Sequence, residues 1–175
     1  MDYPPNVAAA LRVAREILPS IRKIHLAAQF HVVGRAPTVE LRALDGKEGV
    51  RVWCEVPAVQ PFLAAAHLVL APLTIARGIQ NKVLEAMAMA RPVLVTPDAA
   101  TGIGGENGVH FAVEDSDDAL VARALSLLGD PVASAAMGAA ARRFVIDNLS
   151  WPAMLAPLPA LMGRAPKAEG RRDAA

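Results

Sequence analysis

The alternation of short apolar segments with segments of helical periodicity is the feature of this sequence that most restricts its fold. Short runs rich in Val, Leu and Phe are typical of buried strands, and between them apolar residues recur every three to four positions. This alternation predicts βαβ units on a mostly parallel sheet with helices on both faces, which is an α/β fold. The five predicted strands are residues 29–33, 50–56, 68–71, 92–96 and 109–113.

Helical periodicity accounts for most of the sequence between and after these strands. Residues 5–23 carry apolar side chains at helical spacing behind Pro5, and proline is well tolerated in the first turn of a helix. Three helices are expected after the last strand, and the third, at residues 150–161, is broken by prolines and adds little to the core. The other predicted helices include residues 37–44, 59–66, 81–89 and 119–128.

The length of 175 residues is that of a single domain. A chain of this size buries enough apolar surface to be stable without disulfides or a structural metal. We expect the domain to cover residues 1–162. The remaining residues, 163–175, are small, charged and without periodicity, so we expect them to be disordered.

Composition excludes several classes of protein. The hydrophobic content of 54% owes its excess mainly to Ala, and no apolar run reaches the ~20 residues of a transmembrane helix. The net charge of +1 does not indicate nucleic acid as a partner. The single cysteine, Cys54, cannot form an internal disulfide, and the first residues lack the basic segment of a signal peptide. We therefore expect a cytoplasmic protein without a transmembrane segment.

Most of the usual catalytic and metal-binding motifs do not occur in the sequence. The four histidines have neither HxH nor HxxxH spacing, so we expect no metal site. The acidic residues 114–118 precede a helical segment, which favours a helix N-terminus over a calcium site. The glycine-rich residues 102–108 have Asn107 where a dinucleotide fingerprint needs a glycine, and they lead into a strand. We interpret them as a surface turn.

Residues 70–96 combine a buried strand, an irregular linker and a helix that begins near Asn81. This order places the linker and the helix N-terminus at the carboxyl edge of a parallel sheet, where α/β proteins bind ligands. Helical spacing puts Lys82 and Glu85 on the face that points away from the core. The two side chains can form an exposed ion pair. Alternatively, Glu85 can bind the hydroxyls of a ribose while Lys82 faces a diphosphate, and the spacing alone does not choose.

Four stretches of the sequence resemble the donor-binding half of family 4 glycosyltransferases, which have the two-domain GT-B architecture. They are MDYPPN at 1–6, REILPSIR at 15–22, FHVVGRAPT at 30–38 and IARGIQNKVLEAMAMARPV at 75–93. Within the family, the sequence is most similar to the bacterial subgroup associated with PEP-CTERM/exosortase exopolysaccharide systems. The resemblance implies a Rossmann-like domain that binds a nucleotide sugar, with residues 150–162 as its crossover helix.

The resemblance also implies roles for charged residues at the start of the helix. Glu85 matches the second acid of the family's E-x7-E motif and would bind the ribose hydroxyls of the donor. Arg77 stands where the first acid of that motif usually reads the transferred sugar, so the identity of the sugar is left open. Lys82, together with the helix N-terminus at Asn81, would stabilise the departing diphosphate.

Main-chain contacts complete the implied donor site. Gly78 and Ile79 would offer their N–H groups to the sugar or phosphate, and Val56 would contact the nucleobase through its main chain. The sequence also departs from its relatives, which tend to have Gly, Asp and Gly at the positions of Cys54, Ala58 and Ala90.

The implied reaction is transfer of a glycosyl group from a UDP- or GDP-linked sugar with retention of anomeric configuration. Such enzymes stabilise the leaving diphosphate with basic side chains and a helix N-terminus, so we expect neither a metal nor a cofactor. The acceptor, a glycan or lipid-linked sugar, would bind a domain that this chain lacks, at the inner membrane face. We therefore expect a fragment that is inactive by itself. The alternative is a stand-alone α/β interaction module without catalysis.

In the family, the MDYPPN stretch follows a strand that lies centrally in the sheet, and we expect this chain to lack that strand. Without it, the strands at residues 29–33 and 68–71 have unpaired edges. We therefore expect at most five parallel strands, with these two either separated by a gap or placed as direct neighbours.

Overall fold

The computed structural model describes residues 2–162, and helices and short strands alternate along it. The strands are β1 (Phe30–Val33), β2 (Val50–Trp53), β3 (Val69–Ala71), β4 (Val93–Val95) and β5 (Ala112–Val113). The helices are α1 (Pro4–Arg12), α2 (Leu18–Arg22), α3 (Val39–Arg42), α4 (Gln60–Ala65), α5 (Asn81–Ala88), α6 (Pro97–Ala100), α7 (Asp117–Gly129), α8 (Pro131–Phe144), α9 (Trp151–Leu155) and α10 (Leu158–Leu161). Two π-helical segments, Val13–Ile17 and Val145–Leu149, extend α1 and α8. The segment expected to be disordered, residues 163–175, lies outside the described residues.

The strands form two parallel sheets. β1 pairs with β2, and β4 pairs with both β3 and β5, always in parallel. Within residues 2–162, no strand lies between β1 and β3, and these two strands do not pair with each other. The prediction of an α/β fold with at most five parallel strands is confirmed, and of the two expected arrangements the structure has the gap.

Backbone hydrogen bonds show which groups face this gap. The N–H of Phe30 bonds to the carbonyl of Gly49 on the β2 side. Because main-chain groups alternate in direction along a strand, those of His31 point away from β2. In β3 the N–H of Val69 bonds toward β4, so the main-chain groups of Leu70 point away from β4. Both sheets therefore present unpaired strand edges, as the sequence predicted.

One helical segment, residues 4–22, packs against both sheets. Its buried residues Val13, Ile17 and Ile21 belong to a single apolar cluster that also contains Phe30 of β1 and Leu70 of β3. The opposite face of the β3–β4–β5 sheet is covered by α5 and α8. Buried residues of that second cluster include Val83, Met87, Val93, Val95 and Ala141.

Each strand is shorter than the sequence predicted, and β2 and β5 are shorter by three residues, for local reasons. β2 ends at Trp53, and Glu55, two residues later, has a left-handed backbone with φ of 54° that no strand can contain. β5 begins only at Ala112, because the N–H of Gly108 bonds to the carbonyl of Phe111 in a turn. The order of apolar and polar residues reveals neither the left-handed backbone of Glu55 nor the turn between Gly108 and Phe111.

The acidic run at residues 114–118 forms the start of a helix, as predicted. The hydroxyl of Ser116 accepts a hydrogen bond from the N–H of Ala119 at 3.3 Å, and Asp117 and Asp118 lie in the first turn of α7. Carboxylates there interact favourably with the helix dipole. Within the described residues, no group of His, Cys, Asp or Glu side chains could hold a metal ion.

A helix that spans a membrane needs about 20 predominantly apolar residues. Among residues 2–162, no single helix is both long and apolar enough. One pair, Asp117–Gly129 with Pro131–Ala160, meets the requirement only when taken together, and the two are bent by 102°.

Helix α5 ends in a left-handed residue that is not glycine. Ala90 has φ of 54°, and the N–H groups of Ala90 and Arg91 bond back to the carbonyls of Met87 and Ala86. This geometry is a helix C-terminal cap, which normally uses glycine because a Cβ is unfavourable there. The resemblance implies glycine at this position, and because Ala90 has a Cβ, its left-handed backbone carries a local conformational cost of about 1 kcal/mol.

We predict that Ala90→Gly stabilises the protein. Relief of the left-handed strain should raise the free energy of unfolding by about 1 kcal/mol. The matched control is Ala88→Gly, at the last position of the same helix, where glycine should instead destabilise by up to about 1 kcal/mol. Urea denaturation of the three proteins measures both effects, and a destabilised Ala90→Gly variant would contradict the prediction.

Candidate functional site

The loops that follow the parallel strands leave each sheet at its carboxyl edge. Ligands of α/β proteins bind at this edge, in the crevice outside the strand ends. A cavity of about 290 Å³ lies between the loops after β1 and β2. Its lining residues are Gly34, Arg35, Val56, Pro57, Ala58, Val59 and Gln60.

Of the predicted donor-binding residues, only Val56 lines this cavity. Ala58, where the resemblance implies an Asp, also lies in the wall of this cavity. Cys54, the other departure in this loop, is exposed. The remaining predicted residues belong to the loop after β3 and to helix α5.

The first turn of α5 has free hydrogen-bond donors. Val83 and Leu84 donate their N–H groups to the carbonyl of Gln80, at 2.9 and 3.3 Å. Within residues 2–162, the N–H groups of Asn81 and Lys82 have no such partner, and no side chain caps the helix. Unpaired N–H groups at a helix N-terminus favour the binding of an anion.

Lys82 is held by two side-chain carbonyls. Its Nζ donates to Oδ1 of Asn6 at 2.6 Å and to Oε1 of Gln80 at 3.3 Å. The side chain is partly buried, and this burial lowers the pKa of Lys82 below its ordinary value of 10.5. Lys82 was expected to be exposed on the face that points away from the core, but it is partly buried.

Glu85 lies one helical turn after Lys82 and is exposed. Among the described residues, no donor or cation pairs with its carboxylate, and Nζ of Lys82 bonds to Asn6 and Gln80 instead. The interpretation of these two residues as an exposed ion pair is therefore wrong. The helix leaves both carboxylate oxygens of Glu85 available as acceptors, on the same face as Lys82.

The loop before α5 is exposed, and a side-chain hydrogen bond from Gln80 restrains its main chain. Arg77, Gly78 and Ile79 are exposed, and the φ of Gly78 is 68°, a conformation that glycine adopts without strain. Nε2 of Gln80 donates to the carbonyl of Gly78 at 3.1 Å. Ile79 packs close to Gly102, where a Cβ would lie 3.2 Å from its Cγ1. The glycine-rich turn predicted from the sequence thus touches the candidate site.

The sequence patterns did not identify Asn6 and Gln80, although both contact Lys82. Gln80 lies inside the motif at 75–93, and its amide could have been considered as a partner two residues away. Asn6 lies in the MDYPPN stretch, which gives no chemical indication of a lysine 76 residues further along the chain.

The sequence and the fold both have known relatives. The model of the family described as glycosyl transferases group 1 matches residues 2–130. The chain belongs to this family. No curated protein matches the sequence.

Several solved glycosyltransferase structures share the fold. WaaG, a glycosyltransferase involved in lipopolysaccharide biosynthesis, is 20% identical over 91% of this chain and 43% of its own, with a TM-score of 0.69. HepE of Anabaena in complex with UDP is 16% identical over 84% of this chain and 43% of its own, with a TM-score of 0.66. A glycosyltransferase from Rickettsia africae is 16% identical over 86% of this chain and 43% of its own, with a TM-score of 0.67. This chain thus spans less than half of each structure.

We predict a pH-dependent stability effect of Lys82. Because its pKa is lowered in the folded state, the unfolded state binds more protons between the folded pKa and 10.5. The cost of burying the charged form is present below this window and disappears as the pH rises through it. Lys82→Met should therefore unfold at higher urea concentration than the wild type at pH 7, with an advantage that shrinks as the pH approaches 10.5. A difference that does not change with pH would contradict this account.

Proposed function

We propose that this chain is the donor-binding domain of a retaining glycosyltransferase that uses a UDP- or GDP-linked sugar. One observation carries the proposal. At the start of helix α5 lie the ammonium of Lys82, two N–H groups and the carboxylate of Glu85, and within residues 2–162 those N–H groups and that carboxylate have no partner. These groups are complementary to the diphosphate and the ribose of one nucleotide.

The groups of the site suggest how a nucleotide sugar would be bound. The base would lie against the cavity beside Val56, and the two carboxylate oxygens of Glu85 would accept hydrogen bonds from adjacent ribose hydroxyls. The diphosphate would bind Lys82 and the N–H groups of Asn81 and Lys82. The open loop at Gly78 and Ile79 would offer main-chain groups to the sugar. HepE, whose domain has this fold, was solved in complex with UDP, which supports a uridine nucleotide as the first donor to test.

In this proposal the chain contributes to catalysis by stabilising the leaving group, the nucleoside diphosphate. As the glycosidic bond to the donor phosphate breaks, negative charge builds up on the diphosphate. Lys82 and the α5 N-terminus would stabilise that charge without a metal ion. Arg77 adds a cation near the loop but cannot accept hydrogen bonds from sugar hydroxyls as a carboxylate would, so other residues would read the sugar.

The acceptor would bind outside these 175 residues. The matched structures are about twice as long as this chain, since the aligned region covers 43% of WaaG and 43% of HepE. We propose that a second domain binds a glycan or lipid-linked acceptor for exopolysaccharide or related glycan synthesis, as in the PEP-CTERM/exosortase-associated subgroup. The complete enzyme would act in the cytoplasm, at the inner membrane face.

We predict that Glu85→Ala abolishes binding of the donor nucleotide. The substitution removes the acceptor for the ribose hydroxyls at an exposed position, so the free energy of unfolding should change by less than about 0.5 kcal/mol. Saturation-transfer NMR with UDP and GDP measures the binding, with NADH as the control ligand that an oxidoreductase would prefer. Glu16→Ala, which removes an exposed carboxylate from the segment Val13–Ile17, is the matched control. If Glu85→Ala binds as well as the wild type, the ribose role of Glu85 is wrong.

We predict that the 175-residue chain alone has no transferase turnover. Rate enhancement depends on holding the acceptor hydroxyl against the anomeric carbon, and the groups that do so would belong to the opposite wall of the cleft. The test is to incubate the purified chain with radiolabelled UDP-glucose and with lipid or saccharide acceptors. Measurable sugar transfer would contradict the prediction, whereas donor binding without transfer is the expected result.

A further inference from the structure

Asn6 contacts the candidate site from a distant part of the sequence. Its Oδ1 accepts a hydrogen bond from Nζ of Lys82 at 2.6 Å, and 76 residues separate the two. This is the shorter of the two hydrogen bonds of the ammonium, since Gln80 Oε1 lies at 3.3 Å. Neither the family resemblance nor the sequence patterns assign a role to Asn6.

The main chain holds Asn6 in a fixed position. Pro4 and Pro5 occupy the start of α1, where their fixed φ favours the helix. The N–H groups of Asn6 and Val7 both bond to the carbonyl of Tyr3, at 3.0 and 3.1 Å. Because the backbone of Asn6 is thus anchored in the first turn, its side chain can define where Nζ of Lys82 lies.

The chemistry of the two acceptors suits an anion-binding lysine. An ammonium has three N–H donors, and the carbonyls of Asn6 and Gln80 accept two of them. One donor is then left for a ligand. Since both acceptors are neutral amides, they orient the ammonium without cancelling its charge. A carboxylate in the place of Asn6 would hold Lys82 equally well but would repel a diphosphate.

We propose that Asn6 is a positioning residue that aims the ammonium of Lys82 at the second phosphate of the donor nucleotide. The MDYPPN stretch is then part of the donor site, joined to α5 through one side-chain hydrogen bond. This inference rests on the proposed function, because it assumes that a nucleoside diphosphate binds at α5. Burial lowers the pKa of Lys82, and the hydrogen bond from Nζ to Asn6 favours the charged form that a phosphate needs.

The test compares UDP with UMP by isothermal titration of the 175-residue protein. Asn6→Leu keeps the side-chain size but removes the acceptor, and it should weaken UDP binding about tenfold while UMP binding changes less than about twofold. Asn6→Asp keeps the acceptor but adds a negative charge, and it should weaken UDP binding as well. Asn148→Leu, which changes an exposed asparagine in the segment Val145–Leu149, is the control and should bind UDP like the wild type.

A double variant shows whether Asn6 acts through the lysine. In the Lys82→Met background, Asn6→Leu should cause no further loss of UDP affinity, because the hydrogen bond no longer exists. Three results would each overturn the proposal. Asn6→Leu could lower UDP affinity equally with and without Lys82, it could lower UDP and UMP affinity equally, or it could leave UDP affinity unchanged.

A readout without nucleotide separates this proposal from the proposed function. The ammonium protons of Lys82 should exchange slowly enough in the wild type to give an Nζ signal in nitrogen-detected NMR, and Asn6→Leu should abolish that signal. If the signal is insensitive to Asn6, the contact itself is refuted. If the wild type binds neither UDP nor GDP, the proposed function fails and the role of Asn6 toward a donor fails with it. If the wild type binds UDP and Asn6→Leu binds it equally well, only the role of Asn6 fails.

Discussion

Within residues 2–162, the fold depends on the packing of one helical segment across two sheets whose strands do not pair with each other. Ile17 is fully buried in a cluster that reaches Phe30 of β1 and Leu70 of β3. Since β1 and β3 do not pair, these apolar contacts must provide cohesion that backbone hydrogen bonds provide inside each sheet. Burial of a side chain of this size contributes about 1.5–3 kcal/mol, so a few such residues suffice to join the two halves.

The same helical segment also links the core to the candidate site. Arg12, near the end of α1, bonds to Asp117 at 2.6 Å and to the carbonyl of Pro72 at 3.3 Å, at the carboxyl end of β3. At the other end of α1, Asn6 bonds to Lys82. The segment thus fixes both the strand end and the lysine, so the geometry of the site follows from how this helix packs on the sheets.

Among the local features that run against the preferences of an isolated chain, Lys82 and Ala90 differ in kind. Lys82 is partly buried although burial disfavours its charge, and the hydrogen bonds from its Nζ to Asn6 and Gln80 compensate part of that cost. Ala90 is left-handed where glycine would be favoured, and nothing in the structure explains this choice. The first feature belongs to the candidate site, whereas the second concerns only the end of α5.

Local sequence patterns determined most of the elements of this fold, because apolar periodicity, proline positions and helix caps act between residues close along the chain. The strand at Phe30 and the helix start at Ser116 are examples, and the motif at residues 75–93 located helix α5 with Glu85. The α/β class and the unpaired edges of two strands were predicted as well. The tertiary structure decided the start of β5, the partners of Lys82 and the contact between Ile79 and Gly102. Each depends on a turn or on residues brought together by packing, and the spacing of residues along the sequence does not encode which distant side chains meet.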